Sequence, residues 1–550
     1  MGSLEITSES NMRLNRRELI AAMLGAPVLA TGCATVPKLP PAGEMFGQSH
    51  EIGHRLRDGF RPVPAQDRWQ EVDVAIIGGG AAGLSAAWRL QHAGRERFVV
   101  LELEPVGGGT SRSGRCELTA YPWGAHYVPV PLADNRDLIG LFTEMGVVES
   151  VADNGSPVVG EQFLCREPEE RLFIQGEWIE GLFPATGATP DDLEQVAAFQ
   201  REIDRWSEWR DASGRRAFAI PTSQSTDDPV VTGLDQISMA EWLRQQGWTS
   251  SRLHWLVDYS CRDDYGLTAE LTSAWAGLLY FTARLQTPGA EHQPIMTWPA
   301  GNGRIIDYLS ERAGKRLLNE MAVTQVSPVR RAAGDCVEIV CFNTRTQEVV
   351  GYRAQHVIFA APQFLASRLI EGFTERTGRS SKEFQYGSWF VANLHLSGRP
   401  RESGFPLSWD NVIHGSRSLG YVVATHQAGR DYGPTVLTWY YPFCEADARG
   451  VREQLLKATW VELADVVLTD LERPHPDIRD LVTRLDLFRW GHAMIQPKPG
   501  FITSRQRRDA RLPDGRIHFA NTDLSGIALF EEAFDHGCRA ADEITRASIQ

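Results

Sequence analysis

The chain has 550 residues, 42% apolar and 23% charged, which is enough globular sequence for several domains and excludes collagenous, low-complexity and disulfide-scaffold architectures. Its 56 basic and 70 acidic residues leave a net charge of −14; with no local basic stripe, that balance argues against nucleic acid as a partner. Only five of the cations are lysines, namely Lys38, Lys315, Lys382, Lys457 and Lys498.

The N-terminus reads as an address. Leu14-Asn15-Arg16-Arg17-Glu18-Leu19-Ile20 places paired arginines before a short apolar run ending at Leu29, too brief to span a hydrocarbon core of about 30 Å. Leu29-Ala30-Thr31-Gly32-Cys33 then resembles a bacterial lipoprotein cleavage box behind a twin-arginine signal. The expectation is a signal segment over 1–32 and an exported, periplasmic or cell-envelope protein, with a membrane tether if Cys33 is lipidated. An ordinary cytosolic N-terminal helix is the alternative. The other seven cysteines are scattered with no C-x-x-C and read as small apolar residues.

Residues 33–70 are rich in Pro and Gly and read as a linker. His50-Glu51-Ile52-Gly53-His54 matches H-E-x-x-H, but a zinc site needs a third ligand and an open coordination position. The internal Gly and the closeness of the next strand favour a polar surface segment, and no metal is assigned.

Val72-Asp73-Val74-Ala75-Ile76-Ile77 is a β-rich run, followed by Gly78-Gly79-Gly80-Ala81-Ala82-Gly83 and a small-residue helix from Leu84 to His92. Gly78 permits a tight turn, Gly80 lets backbone approach a pyrophosphate at the helix N-terminus, and Gly83, beside Ala82, lets helix and strand pack closely. A second strand, Phe98-Val99-Val100-Leu101, ends in Glu102, nineteen residues beyond Gly83 (102 − 83). There a carboxylate accepts hydrogen bonds from both hydroxyls of an adenosine ribose. The pattern predicts dinucleotide binding.

FAD rather than NAD follows from two further stretches. Pro105-Val106-Gly107-Gly108-Gly109-Thr110-Ser111 is a second glycine turn, needed by the longer molecule. Near the C-terminus, Arg516-Ile517-His518-Phe519-Ala520-Asn521-Thr522-Asp523 is a strand ending in an acid, before a helix beginning around Leu529. Such a turn sets Asp523 against ribityl hydroxyls and aims a helix N-terminus at the flavin N1/C2 edge.

With these pieces the chain resembles the flavin-containing amine oxidase and phytoene desaturase superfamily. Tyr121-Pro122-Trp123-Gly124-Ala125-His126, Asn135 to Gly146, Pro299-Ala300-Gly301-Asn302-Gly303, the strand Met321 to Val326 and the strand Val357 to Pro362 also carry the likeness. The resemblance implies an α/β fold, α+β overall: a Rossmann-like FAD-binding domain from residues 71–135, 295–370 and 500–550, with a discontinuous sheet-and-helix substrate domain from 136–294 and 371–499. It implies cofactor contacts at Gly78, Gly80, Ala82, Gly83, Glu102, Gly108, Gly109, Gly124, Ala125, Val323, Ala360, Asp523 and Leu529. His126 is read as a residue packing on the cofactor.

In the substrate domain, residues 190–213 and 238–285 carry helical apolar spacing, while Leu419–Ala424 and Thr435–Tyr440 read as strands. Trp389, Trp409, Trp439 and Trp490 either line a cavity over the flavin or pack as core. Many members of the resembled family carry a lysine on a cap strand near flavin N5; the corresponding stretch, Phe384 to His395, has none. Asn393 or His395 would hold a water there instead. Where the family places an aromatic before the last helix, this chain has Leu529 followed by Phe530. Arg489-Trp490-Gly491-His492-Ala493-Met494 would pass the flavin's substrate face, making His492 the first candidate for a base and Trp490 for a cavity wall.

The leading expectation is therefore an exported FAD-dependent oxidoreductase that moves a hydride from an amine-like CH–NH donor to flavin N5, with O2 or a redox partner as electron acceptor. The alternatives are a desaturase or isomerase of a lipophilic substrate, and a flavoprotein without turnover of its own.

Overall fold

Described residues are 41–285, 294–332 and 334–547 of a computed structural model; the expected signal segment and Cys33 lie outside them. The first ordered elements are β1 (Met45–Gly47), α1 (His50–Arg57), β2 (Trp69–Ile77), α2 (Ala81–His92), β3 (Phe98–Leu101) and β4 (Tyr127–Pro129). After β5 (Glu170–Ile174) and β6 (Glu177–Glu180) come four helices, α3 (Pro190–Glu208), α4 (Met239–Gln245), α5 (Ser251–Tyr265) and α6 (Ala274–Thr282). The chain returns through β7 (Ile295–Thr297), α7 (Gly303–Ala313), β8 (Leu317–Leu318), β9 (Met321–Val329), β10 (Cys336–Asn343) and β11 (Val349–Phe359). Next are β12 (Tyr386–Leu396), β13 (Asp410–Ile413), β14 (Gly420–Val423), β15 (Thr435–Phe443), α8 (Trp460–Leu471) and β16 (Val482–Ile495). The chain closes with β17 (Ile517–Phe519) and α9 (Phe530–Ala547).

A strand covered on both faces must be apolar throughout, and Val74, Ala75, Ile76 and Ile77 at the end of β2 are all buried. β2 sits between β3 and β11, parallel to both, in a seven-stranded sheet of order β8-β3-β2-β11-β10-β9, with β17 paired to β11 as the seventh strand. β11 is long enough to pair with β10 along its first half and with β17 along its second, which brings the C-terminal strand beside the glycine turn. α2 and α9 lie against each other through small residues: a Cβ on Gly537 would stand 2.3 Å from the Ala82 carbonyl. This is the Rossmann-like domain of an α/β fold.

The second sheet has eight strands in the order β1-β16-β12-β15-β14-β13-β5-β6. Strand alternation sorts its aromatic residues. Phe390, Leu394, Leu437, Trp439 and Tyr441 face Leu463, Val467 and Leu471 of α8 as one core. Trp389, Val391, Tyr440 and Trp490 face the other way, toward the first domain. The helical cap, α3 to α6, packs around Trp206, Trp242 and Trp275. Its helices start where the sequence supplies N-caps: the side chains of Thr189, Ser238, Ser250 and Ser273 accept from backbone N–H groups of the first turn, each worth about 1 kcal/mol.

One expectation changes. The stretch read as a linker is docked from residue 42 onward, because β1 adds a parallel edge strand to β16. α1 buries Ile52 against Ala322 and Phe342, so its apolar face is occupied by the first domain. His50 and His54 lie on α1 with ring centroids 5.5 Å apart. Among the described residues no group of three or more His, Cys, Asp or Glu side chains is arranged to hold a metal ion.

Candidate active site

The cradle begins at the β2–α2 turn. Gly78 has φ of 102° and Gly80 caps α2. A Cβ on Gly80 would meet nothing within 4 Å, whereas one on Gly83 would stand 1.9 Å from the Gly78 carbonyl. The turn is thus open on its ligand side and closed on its packing side. The second glycine turn locks onto it: the Gly108 N–H donates to the Gly79 carbonyl at 2.8 Å, and Gly108 and Gly109 have φ of 113° and 56°. Glu102 is buried, one oxygen accepting from the Gly79 N–H at 2.6 Å and the other from the Glu104 N–H at 2.8 Å. Burial raises its pKa, and the two backbone N–H groups oppose that.

Beyond the cradle, a cavity of about 190 Å³ separates the two domains. Thr110, Gly124, Ala125, Asn302 and Thr522 form its side on the first domain. Trp389, Val391, Tyr440, Trp490 and Met494 form the opposite side, from three neighbouring strands. Trp389 and Trp490 are cross-strand partners. The indole N–H of Trp490 donates to the Trp123 carbonyl at 2.7 Å, and the Tyr440 hydroxyl to the Gly124 carbonyl at 2.9 Å. These two bonds join the domains around the cavity. By contrast, the Trp389 indole nitrogen and the Asn302 side-chain oxygen, both lining the cavity, are buried with no hydrogen-bond partner.

A third wall is charged. Asp263 and Asp264 from the end of α5, Arg284, and Glu531 from the first turn of α9 all line the cavity. The left-handed cap at Gly266, φ 61°, ends α5 just after the two acids. Burial and then the neighbouring Asp264 push the Asp263 carboxyl up to about 7. Burial also raises Asp264 and Glu531, with Arg284 opposing in both cases. Behind Asp263 stand two more acids on paired strands, Asp410 and Glu170, which are register partners. Glu170 is pushed up to about 7 by burial and then Glu169.

The sequence-derived residues divide between the cavity and its surroundings. Gly124, Ala125, Trp490 and Leu529 line the cavity, as do Trp389 and His126; burial lowers the His126 pKa to about 4. Ala82 packs at the α2–α9 contact. Ala360 follows β11 and donates its N–H to the Ile77 carbonyl at 2.9 Å. Val323 is buried on β9, beside a bulge in its pairing with β10. Asp523 is buried, its Oδ2 accepting from the Tyr386 hydroxyl at 2.5 Å and from the Gln363 N–H at 2.7 Å; burial pushes its pKa up to about 6. Its neighbour Thr522, rather than Asp523, lines the cavity.

The three polar catalytic candidates stand outside the lining. The His492 ring stacks on Phe364 at 4.5 Å, and burial followed by Arg452 lowers its pKa to about 4. Asn393 donates to the Pro122 carbonyl at 3.1 Å and accepts from Thr438 at 2.7 Å, which makes it a structural pin. His395 packs edge-on to Tyr121 and lies 3.7 Å from Asp486. Asn393 and His395 fall on the same face of β12 as Trp389 and Val391 but farther along the strand, beyond the cavity, and His492 lies where β16 passes out of register with β12. Of the four tryptophans, Trp439 is core and donates to Asp470, while Trp409 packs behind the cavity on His126. Reasoning from sequence missed Asp263, Asp264, Arg284 and Glu531. Adjacent acids at the end of a helix, just before the glycine that terminates it, were the available signal.

The family profile described as flavin containing amine oxidoreductase matches residues 81–545. The chain belongs to this family. FAD is its cofactor, and it is an FAD-dependent oxidoreductase. Oxidoreductase PigB of Serratia sp. (strain ATCC 39006) is 23% identical over 540 residues, covering 86% of this chain and 75% of that relative. A putrescine oxidase structure, wild type bound to putrescine, superposes with a TM-score of 0.63 at 18% identity over 86% of this chain and 99% of the other. A fatty acid isomerase from P. acnes described as CLA-producing superposes with a TM-score of 0.57 at 15% identity, over 86% and 98%. These two likenesses establish the fold.

The residues present fit FAD. The open Gly80 cradle, the Glu102 carboxylate held by two backbone N–H groups and the unpartnered Asn302 oxygen form a continuous set running from the glycine turn to the cavity. The one basic side chain other than His126 among the cavity-lining residues is Arg284. Among the described residues no lysine lines the cavity.

Proposed function

We propose that this protein oxidises an amine at a CH–NH bond. The observation that carries the reading is the acidic end of the cavity, where Asp263, Asp264 and Glu531 face a wall built of Trp389, Trp490 and Tyr440. Carboxylates draw in an ammonium ion, and aromatic faces hold it by cation–π attraction of about 0.5–2 kcal/mol.

FAD, when bound, supplies a two-electron acceptor. The chain's own residues bind, orient and deprotonate. An ammonium group has no lone pair to assist loss of hydride from carbon, so its proton must leave first. Asp263, whose pKa of about 7 lies near neutrality, accepts that proton with little driving-force penalty. The tryptophan pair excludes water and limits the approach of the donor carbon. The putrescine-bound neighbour supports a substrate with two amino groups.

One feature favours the lipophilic alternative. The Nε of Arg284 is buried in the cavity wall without a hydrogen-bond partner among the described residues, so it offers a place for a substrate carboxylate. Anaerobic mixing of the FAD-loaded protein with a diamine, a monoamine and an unsaturated fatty acid separates the readings. The amines should bleach the flavin's visible band. Bleaching or isomerisation with the fatty acid alone would transfer the assignment to the lipid reading, and no response to any donor would favour a flavoprotein without turnover.

The twin-arginine reading of the N-terminus leads us to propose export to the cell envelope. Replacing Arg16 and Arg17 together by lysine should leave the protein in the cytoplasmic fraction; unchanged export would refute that reading.

A further inference from the structure

We propose that residues 42–57 form a strap that retains the cofactor, with Ser49 as its clasp. The strap spans both domains. On the substrate side, the Leu485 and Leu487 N–H groups donate to the Ala42 and Glu44 carbonyls at 2.8 and 2.9 Å. The Glu44 N–H donates to Asp486 at 3.0 Å. The approach is so close that a Cβ on Gly43 would stand 1.8 Å from the Leu485 carbonyl oxygen. Phe46 then packs 5.5 Å from Trp123, the residue whose carbonyl holds Trp490 in the cavity wall.

On the cofactor side, Ser49 meets Glu104 twice. Its N–H donates to Oε1 at 2.8 Å and its hydroxyl to Oε2 at 3.0 Å. Glu104 belongs to the turn that follows β3, and its own N–H supplies one of the two hydrogen bonds orienting the Glu102 carboxylate. The dinucleotide fingerprint assigns that carboxylate to the adenosine ribose. The Arg112 guanidinium, 4.0 Å from Glu104, lies 4.3 Å over the Phe488 ring and 5.4 Å from Trp490. Ser49, Glu104, Glu102 and Arg112 thus form one connected set from the N-terminal segment to both walls of the site.

The physical reason for a clasp lies in the turn. Residues 102–105 leave the sheet as a loop whose backbone is tied to residues 318–321 by three hydrogen bonds, Glu102 N–H to the Leu318 carbonyl at 2.9 Å, Met321 N–H to the Glu102 carbonyl at 2.7 Å and Glu320 N–H to the Glu104 carbonyl at 3.1 Å; side-chain pins add to these and make opening less frequent. Two hydrogen bonds to a carboxylate, each charge-assisted, hold Glu104 and so fix the direction of its N–H. Without them Glu104 is held by the Glu320 contact alone and the Glu102 carboxylate keeps the Gly79 N–H as its one firm donor, so the AMP end of FAD is released faster. Ser49 touches neither substrate nor the reacting atoms; it is a positioning residue.

The test measures the rate at which FAD-loaded protein releases flavin into an excess of an FAD-binding apoprotein trap, followed by the change in flavin fluorescence well below the melting temperature, for wild type, Ser49→Ala and Ser49→Thr. Ser49→Ala should release FAD at least fivefold faster, and Ser49→Thr, which keeps the hydroxyl, should stay within twofold of wild type. The unfolding midpoint of each apoprotein is recorded alongside and should be unchanged. Release by Ser49→Ala less than fivefold faster overturns the proposal. So does faster release shared by Ser49→Thr and matched by a fallen apoprotein midpoint, since that pattern belongs to ordinary packing.

Discussion

Replacing Asp263 by asparagine should stabilise the protein, and by more as the pH rises. Burial, with Asp264 next to it, lifts this carboxyl from 3.8 to about 7. The folded state therefore holds the proton more tightly than the unfolded state does. Asp263's contribution to stability is intact below about pH 4, declines as pH rises toward about 7, and is level above that. A shift of about three units at about 1.4 kcal/mol per unit sets an upper limit of about 4 kcal/mol for the ionised group. Proton sharing with Asp264 and relaxation of the cavity reduce this to about 1–2 kcal/mol. Asparagine resembles the neutral acid in shape, so the variant should lack the decline. Urea unfolding of the FAD-loaded proteins, followed by tryptophan fluorescence at several pH values between 4 and 8, measures the gap. A gap that stays constant over this range, or a variant less stable at pH 8, would refute the assignment of a strained buried charge at the cavity.

The same substitution should raise KM for amines several-fold at pH 8 while leaving FAD binding unchanged, as steady-state kinetics and flavin titration would record. Glu102→Ala should weaken FAD affinity at least tenfold, about 1.4 kcal/mol, measured by equilibrium dialysis; full retention would remove the carboxylate from the ribose. His492→Ala should reduce with amine at a rate within threefold of wild type, because its ring stacks on Phe364 away from the cavity lining; stopped-flow slowing of tenfold would restore it as a base. Gly83→Ala should fail to load FAD, since its Cβ would overlap the Gly78 carbonyl, and a normally loaded variant would contradict the packing of this turn.

The cofactor half of the site was legible because its signals are local. Gly78, Gly80, Gly83 and Glu102 lie within 25 consecutive residues (78–102); the glycines are required by a tight turn or a close approach that a side chain would block, and the acid by the hydrogen bonds its carboxylate accepts. The substrate half was not. Asp263, Arg284, Trp389, Tyr440, Trp490 and Glu531 come from α5, the segment after α6, three strands and α9, and no spacing in the sequence connects them. His492 illustrates the difficulty. It lies two residues from Trp490 on the same strand, yet a register shift between Gly387 and Trp389 in the pairing of β12 with β16 disturbs simple alternation nearby. Trp490 faces the cavity, and His492 turns to Phe364.

By itself, then, the sequence determined the Rossmann-like domain, the family and FAD, since a dinucleotide is gripped mainly by backbone whose shape short glycine patterns dictate. Tertiary structure decided which side chains share the cavity and brought three acids to one end of it. It also turned an apparent linker into a strap reaching Glu104. Those outcomes depend on sheet order and strand register, which are set by the sum of many weak packing choices along the whole chain, so no short motif could have recorded them.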